Sequence, residues 1–150
     1  MRHRRRVLIP ILIYCEGLHD QLFVRYLQRL YKPKSSPYSF SIQKGDGGSS
    51  KSLVEKAANR SGAYTRRLVV CDNDRGEEEF NRALLAALEK DVDLIAFKPC
   101  LEAVILDILE PNYNSSRRTT EECKRRLHQR HMSAAKRSNL ENYGVIKQAL

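Results

Sequence analysis

Two apolar runs in this sequence end on acids. The stretch "LIYCEGLHD" brings Glu16 directly after Cys15 and Asp20 four residues later, and "RLVVCDNDRG" brings Asp72 and Asp74. Gly17 follows the first acid, the residue type most tolerant of a tight backbone approach. The i, i+2 spacing of Asp72 and Asp74 points both side chains the same way while the chain stays extended. Any one acid at a strand end is more often a cap or a turn former. Acids converging from two runs would repel one another without a cation. A hard divalent cation such as Mg²⁺, with oxygen ligands and substrate phosphate, is the simplest resolution.

Short apolar runs and helical periods alternate along the chain, and these elements must position the acids. Residues 7–15 read as a strand buried on both faces. "LHDQLFVRYLQRLY" repeats Leu18, Leu22, Phe23, Tyr26, Leu27 and Leu30 at helical spacing. "KPKSSP" is a loop, "YSFSIQ" alternates like a strand, and "KGDGGSS" is a glycine-rich turn. It leads into a helix, "KSLVEKAANR", with Ser49 or Ser50 as its N-cap. "RRLVVC" is a buried strand, and "EEEFNRALLAALEK" an amphipathic helix with acids in its first turn, as the helix dipole prefers. "VDLIAF" is a fourth strand, and the helix "LEAVILDILE" stops at Pro111.

This order implies an α/β, Rossmann-like domain over residues 1–110, with a mainly parallel four-stranded sheet between helices. Residues 111–150 read as a basic helical extension packed on it, with a loop over 112–118 and polar helices near 119–131 and 138–149. Ligands of such sheets bind beyond the carboxyl ends of the strands. Glu16, Asp72, Asp74, the segment "KPCLE" and the glycine-rich turn all fall there.

The chain of 150 residues carries a formal charge of +9, with basic residues crowded into "RHRRR" and "RRTTEECKRRLHQRH". That imbalance favours a polyanionic partner, since neutralising phosphates releases counterions. A solubilising surface is the plainer alternative. Cys15, Cys71, Cys100 and Cys123 are scattered, with no CxxC pair, and read as structural thiols. "VLIPILIYC" after "MRHRRR" mimics a signal peptide, but Pro10, the absent small-residue cleavage site and Glu16 favour a buried strand. No run is long enough to span a bilayer, and a cytoplasmic protein is expected.

"LIYCEG" with Asp20, then "LVVCDND", then "KPCLEAVILDIL", resembles the TOPRIM domain as carried by the RloB-like family of prokaryotic proteins, related to OLD-type nucleases. The resemblance spans roughly residues 7–110 and rests on the order, spacing and strand context of short motifs. It implies a Mg²⁺-dependent nuclease site (Mn²⁺ being an alternative) in anti-phage or restriction-associated systems. Glu16 would ligate metal or act as general base, Asp72 and Asp74 would be ligands, Asp20 would help directly or through water, and Glu102 would serve a second metal position. The family usually has glutamate where Asp20 stands.

Other constellations compete. "GDGGSSKS" nearly spells a P-loop, but Ser50 occupies the place of a required glycine before Lys51, and the P-loop reading leaves Glu16, Gly17 and Asp20 unexplained. The same loop and helix N-terminus could instead hold a nucleic-acid phosphate, with Lys51 as a contact. Lys98 could stabilise charge developing on a phosphate or pair with an acid. His19 could assist proton transfer or face solvent. Cys123, His128 and His131 could bind zinc, although helical histidines among arginines are more often solvated. Arg125, Arg126 and Arg130 are the expected nucleic-acid contacts in the extension. The sequence therefore reads as a metal-dependent nuclease. A silent module that binds nucleic acid or a partner ATPase ranks second, a P-loop NTPase third, and a homo-oligomer is possible.

Overall fold

The computed structural model describes residues 6–133, 135, 136, 140–144 and 146. Four strands, β1 (Ile9–Cys15), β2 (Tyr38–Lys44), β3 (Arg66–Asp72) and β4 (Asp93–Phe97), alternate with α1 (Leu18–Tyr31), α2 (Ser50–Ala58), α3 (Glu77–Lys90) and α4 (Leu101–Leu109). A 3-10 turn at Ser115–Arg117 leads into α5 (Thr120–Arg130). The sheet is parallel throughout, in the order β2-β1-β3-β4. It is the α/β architecture that the strand–helix alternation requires. Cys15 pairs with both Lys44 and Val70, and Asp72 pairs with Phe97, so the carboxyl ends of the four strands lie at one edge.

Residue choice explains the layers. Leu12, Tyr14, Val69 and Cys71 alternate toward one face and pack on Leu53, Val54 and Ala57 of α2 and Ala86 and Ala87 of α3. Cys15, Ile42 and Val70 face the other way, with Val24 of α1 and Phe97 beside them. On that second side an apolar groove of about 540 Å³ stays open between α1 and the β3–β4 strands, lined by Phe23, Leu68, Val70, Ile95 and Phe97 among others. β1 begins two residues later than expected. Pairing starts at Ile9 with Tyr38, so Val7 and Leu8 project past the sheet and Val7 is 89% exposed.

Ser49, the first of the two serines expected to cap α2, accepts from the Ser52 N–H at 3.1 Å. α5 begins with a full capping box, in which Thr119 and Glu122 satisfy each other's backbone N–H groups. The extension is not a separate layer. Cys123, Leu127, Met132, Tyr143 and Ile146 share one core with Leu22, Phe23 and Tyr26 of α1 and Ile105 and Leu106 of α4. Half of the second tail helix expected over 138–149 falls outside the described residues; within them, Leu140–Tyr143 forms a 3-10 turn. Most of the expected N-terminal basic run also lies outside them. Among the described residues no helix is long and apolar enough to cross a membrane.

Candidate functional site

A cavity of about 320 Å³ opens at the carboxyl edge of the sheet, and Glu16, Asp20, Asp46, Asp72 and Glu102 line it. Each acid arrives on a different element. Glu16 follows β1 directly, and its N–H still donates to Val70 O at 3.0 Å, so the residue leaves the sheet under backbone control. Its Oε2 accepts from the Asp72 N–H at 3.0 Å, which ties the ends of β1 and β3 together. The Arg75 guanidinium lies 3.8 Å from Oε1. Asp20 accepts from the Gly17 N–H at 3.1 Å as the first turn of α1 forms. Asp72 ends β3, and its Oδ1 accepts from the Leu101 N–H at 2.8 Å at the start of α4. Glu102 sits in the first turn of α4, buried.

The electrostatic consequence is visible on Asp72. Burial, then the charge of Asp20, push its carboxyl up from 3.8 to about 8, with Glu102 and Glu16 adding to the rise and the Leu101 N–H opposing it. A carboxylate in that position holds a proton near neutral pH unless a cation replaces it. The thiols beside the site are inert for the same physical reason. Burial drives Cys15 and Cys100 up to about 12 and Cys71 up to about 11.

The carboxylates share the cavity without forming a finished cage. Among the described residues, no group of three or more His, Cys, Asp or Glu side chains is arranged to hold a metal ion. Glu16, Asp20 and Asp72 each turn an oxygen to a backbone N–H. The donor chemistry still suits a hard cation. Mg²⁺ is usually held by one or two carboxylates, with waters and substrate phosphate completing its shell, rather than by an all-protein cage.

No family model matches the chain, and no curated protein or solved structure does.

Glu16, Asp20, Asp72 and Glu102 are thus brought together, while Asp74 and Lys98 are not among the residues lining the cavity. β3 ends at Asp72, so the extended alternation expected to aim Asp74 alongside it stops two residues short of Asp74. The Lys98 ammonium lies 6.0 Å from the centre of the Phe80 ring instead. His19 does line the cavity. Two lining residues were not foreseen. Asp46 comes from the glycine-rich turn, and Lys124 reaches the cavity from α5. The turn's Gly47 and Gly48 hold φ of +79° and +104°, a conformation that favours glycine.

The start of α2 speaks against the P-loop reading. The Ser50 N–H donates to Glu79 Oε1 at 3.1 Å, so a carboxylate occupies the place a phosphate would take. Lys51 lies half-exposed, 3.8 Å from Glu55 one turn on. The proposed zinc residues part company too. Cys123 is buried in the core, and the His131 ring sits 2.7 Å from Glu110.

Of the three arginines expected to meet nucleic acid, Arg125 and Arg130 are exposed on α5. Arg126 is differently employed. Its guanidinium donates twice to Glu110 Oε2, at 2.9 and 2.6 Å, and packs 4.7 Å from the centre of the Tyr113 ring. It ties α5 to the end of α4. Arg126 and His131 hold the Glu110 carboxyl down from 4.5 to about 2, Arg126 contributing most. A depressed acid stabilises the fold above its unfolded value and loses that contribution as pH falls through its folded value. Acid unfolding of the wild type should therefore steepen between about pH 4.5 and pH 2, and a Glu110→Gln variant should lack that component. Arg126→Gln should lower the melting temperature at neutral pH by several degrees, whereas Arg125→Gln should leave it nearly unchanged. Thermal unfolding followed by circular dichroism checks both.

Proposed function

We propose that the chain is a metal-dependent nuclease with a TOPRIM-like site, hydrolysing phosphodiester bonds of DNA or RNA, of the kind found in prokaryotic anti-phage or restriction-associated systems. One observation carries the reading: a half-buried Asp72, its carboxyl pushed up to about 8, shares a cavity with Glu16, Asp20 and Glu102 at the carboxyl edge of a parallel sheet. Four acids there cost stability that packing alone does not require, and a divalent cation offsets that cost.

Asp72 would hold Mg²⁺ (or Mn²⁺), with Glu16, Asp20 and Glu102 adding charge around it. When bound, the cation would supply the charge neutralisation that phosphodiester hydrolysis needs. The chain's own residues account for the rest. Glu16 keeps Oε1 apart from the Asp72 N–H that holds Oε2, so it can accept a proton from a water in the cavity. Lys124 brings a cation to the same wall, suited to a non-bridging phosphate oxygen. Arg125 and Arg130, exposed on the helix that carries Lys124, are free of the structural duty of Arg126 and would meet neighbouring phosphates without reading bases.

Labelled single- and double-stranded DNA and RNA, incubated with Mg²⁺ or Mn²⁺ and with a chelator, test the reading. Cleavage of at least one nucleic acid, absent with chelator, is the expected outcome. Tight binding without cleavage in either metal would contradict it and favour a silent module that docks nucleic acid or a partner ATPase. Metal-dependent ATP hydrolysis without cleavage would favour the NTPase.

A further inference from the structure

α3 turns its small residues inward and its large ones outward. Ala83, Ala86 and Ala87 are the residues it buries. Leu84, Leu85 and Leu88 face water, with Leu85 68% and Leu88 80% exposed. The alanines suit the close approach of α3 to α2, where Ala86 and Ala87 pack with Leu53, Val54 and Ala57. The leucines add little to this fold. Positions 84 and 88, and 85 and 88, are neighbours on a helix surface, so the three form one stripe rather than isolated apolar residues.

Acids frame the stripe. Glu77 and Glu78 open the helix, and Glu89 and Asp91 flank its end. Against them stand Arg82, ion-paired with Glu78, and Lys90. This face is negative in a chain whose formal charge is +9. None of the residues lining the acidic cavity lies on it.

We infer that the exposed face of α3 docks a helix of a partner protein, one presenting an apolar stripe flanked by lysines and arginines. Charge complementarity selects this occupant. A second copy of α3 would set the same carboxylates against themselves, and like charges across an interface are costly. Nucleic acid would meet the same repulsion and offer no apolar surface of matching shape. A basic amphipathic helix meets both demands, its apolar anchors on the leucines and its cations on the surrounding acids.

Fluorescence anisotropy with the full chain tests this. The probe is a labelled synthetic helical peptide with leucines on one face and lysines on the other, and the control replaces its lysines with glutamates. The wild type should bind the lysine peptide at least tenfold more tightly than the glutamate peptide. Leu85→Gln/Leu88→Gln should weaken that binding at least tenfold, with an unchanged melting curve because both positions are exposed. A Glu78→Gln/Glu89→Gln variant should weaken it and reduce its salt dependence. Equal affinity of the wild type and the leucine variant, or no binding at all, would overturn the inference. So would a wild-type dimer in sedimentation that the leucine variant dissolves, which would give the face to a second copy.

Discussion

Glu16→Ala should reduce metal-dependent cleavage by about a thousandfold or more, a loss in the range set by a positioned general base. It should do so with the fold in place. The Glu16 side chain is partly solvent-exposed, accepts a 3.0 Å hydrogen bond from the Asp72 N–H and lies 3.8 Å from the half-exposed Arg75 guanidinium. Water can replace that acceptor at this open edge, so the structural cost should stay near 1 kcal/mol. Glu16→Gln sharpens the comparison, because its amide oxygen keeps the hydrogen bond while the carboxylate is gone. Both variants should be inactive in single-turnover cleavage, with melting temperatures close to wild type. If Glu16→Gln cleaves at the wild-type rate, Glu16 is a brace for the end of β3 and no more.

Asp72→Asn should make the metal-free protein more stable at pH 7 to 8. The sign follows from the direction of the shift. A carboxyl raised from 3.8 to about 8 gives the folded state its full proton-linked stabilisation below pH 3.8 and loses it as pH rises toward 8. At ~1.4 kcal/mol per pH unit, that displacement sets an upper bound of roughly 6 kcal/mol. Relaxation of the other acids reduces it, and we expect a gain of about 2 kcal/mol, or roughly 5 °C in melting temperature. Asparagine keeps an oxygen for the Leu101 N–H at the start of α4, so the variant removes the charge without removing the cap. Urea unfolding from pH 4 to pH 8 should show the two proteins alike at the acid end and diverging as pH rises. The variant should also lose its cleavage activity. Parallel pH profiles would mean that Asp72 is not strained by its neighbours.

Much of this site could be read from the residues alone. Apolar runs ending on Glu16 and Asp72, with helical periods between them, are enough to specify a parallel sheet and to bring both acids to its carboxyl edge. What escaped depends on where a chain turns in space. Asp74 misses the cavity because β3 stops at Asp72. Lys124 enters it because Cys123 and Leu127 bury α5 against α1 and α4, a long-range packing choice with no local signature. Arg126 looked like its basic neighbours, and Glu110, sixteen positions away, together with the Tyr113 ring distinguishes it. α3 shows the same limit, for its periodicity marks a helix without saying that alanines rather than leucines face inward.

Isothermal titration of Mn²⁺ and Mg²⁺ into the metal-free protein, at a pH near 7.5, tests the central claim most directly. The wild type should bind a divalent cation and release protons as it does so, because Asp72 gives up the proton that its surroundings make it hold. Glu16→Gln should bind more weakly, Asp72→Asn should bind far more weakly or not at all, and proton release should vanish with the Asp72 carboxyl. Cation binding that is the same in all three proteins, or no binding to the wild type with or without nucleic acid present, would contradict the assignment of these acids to a metal site.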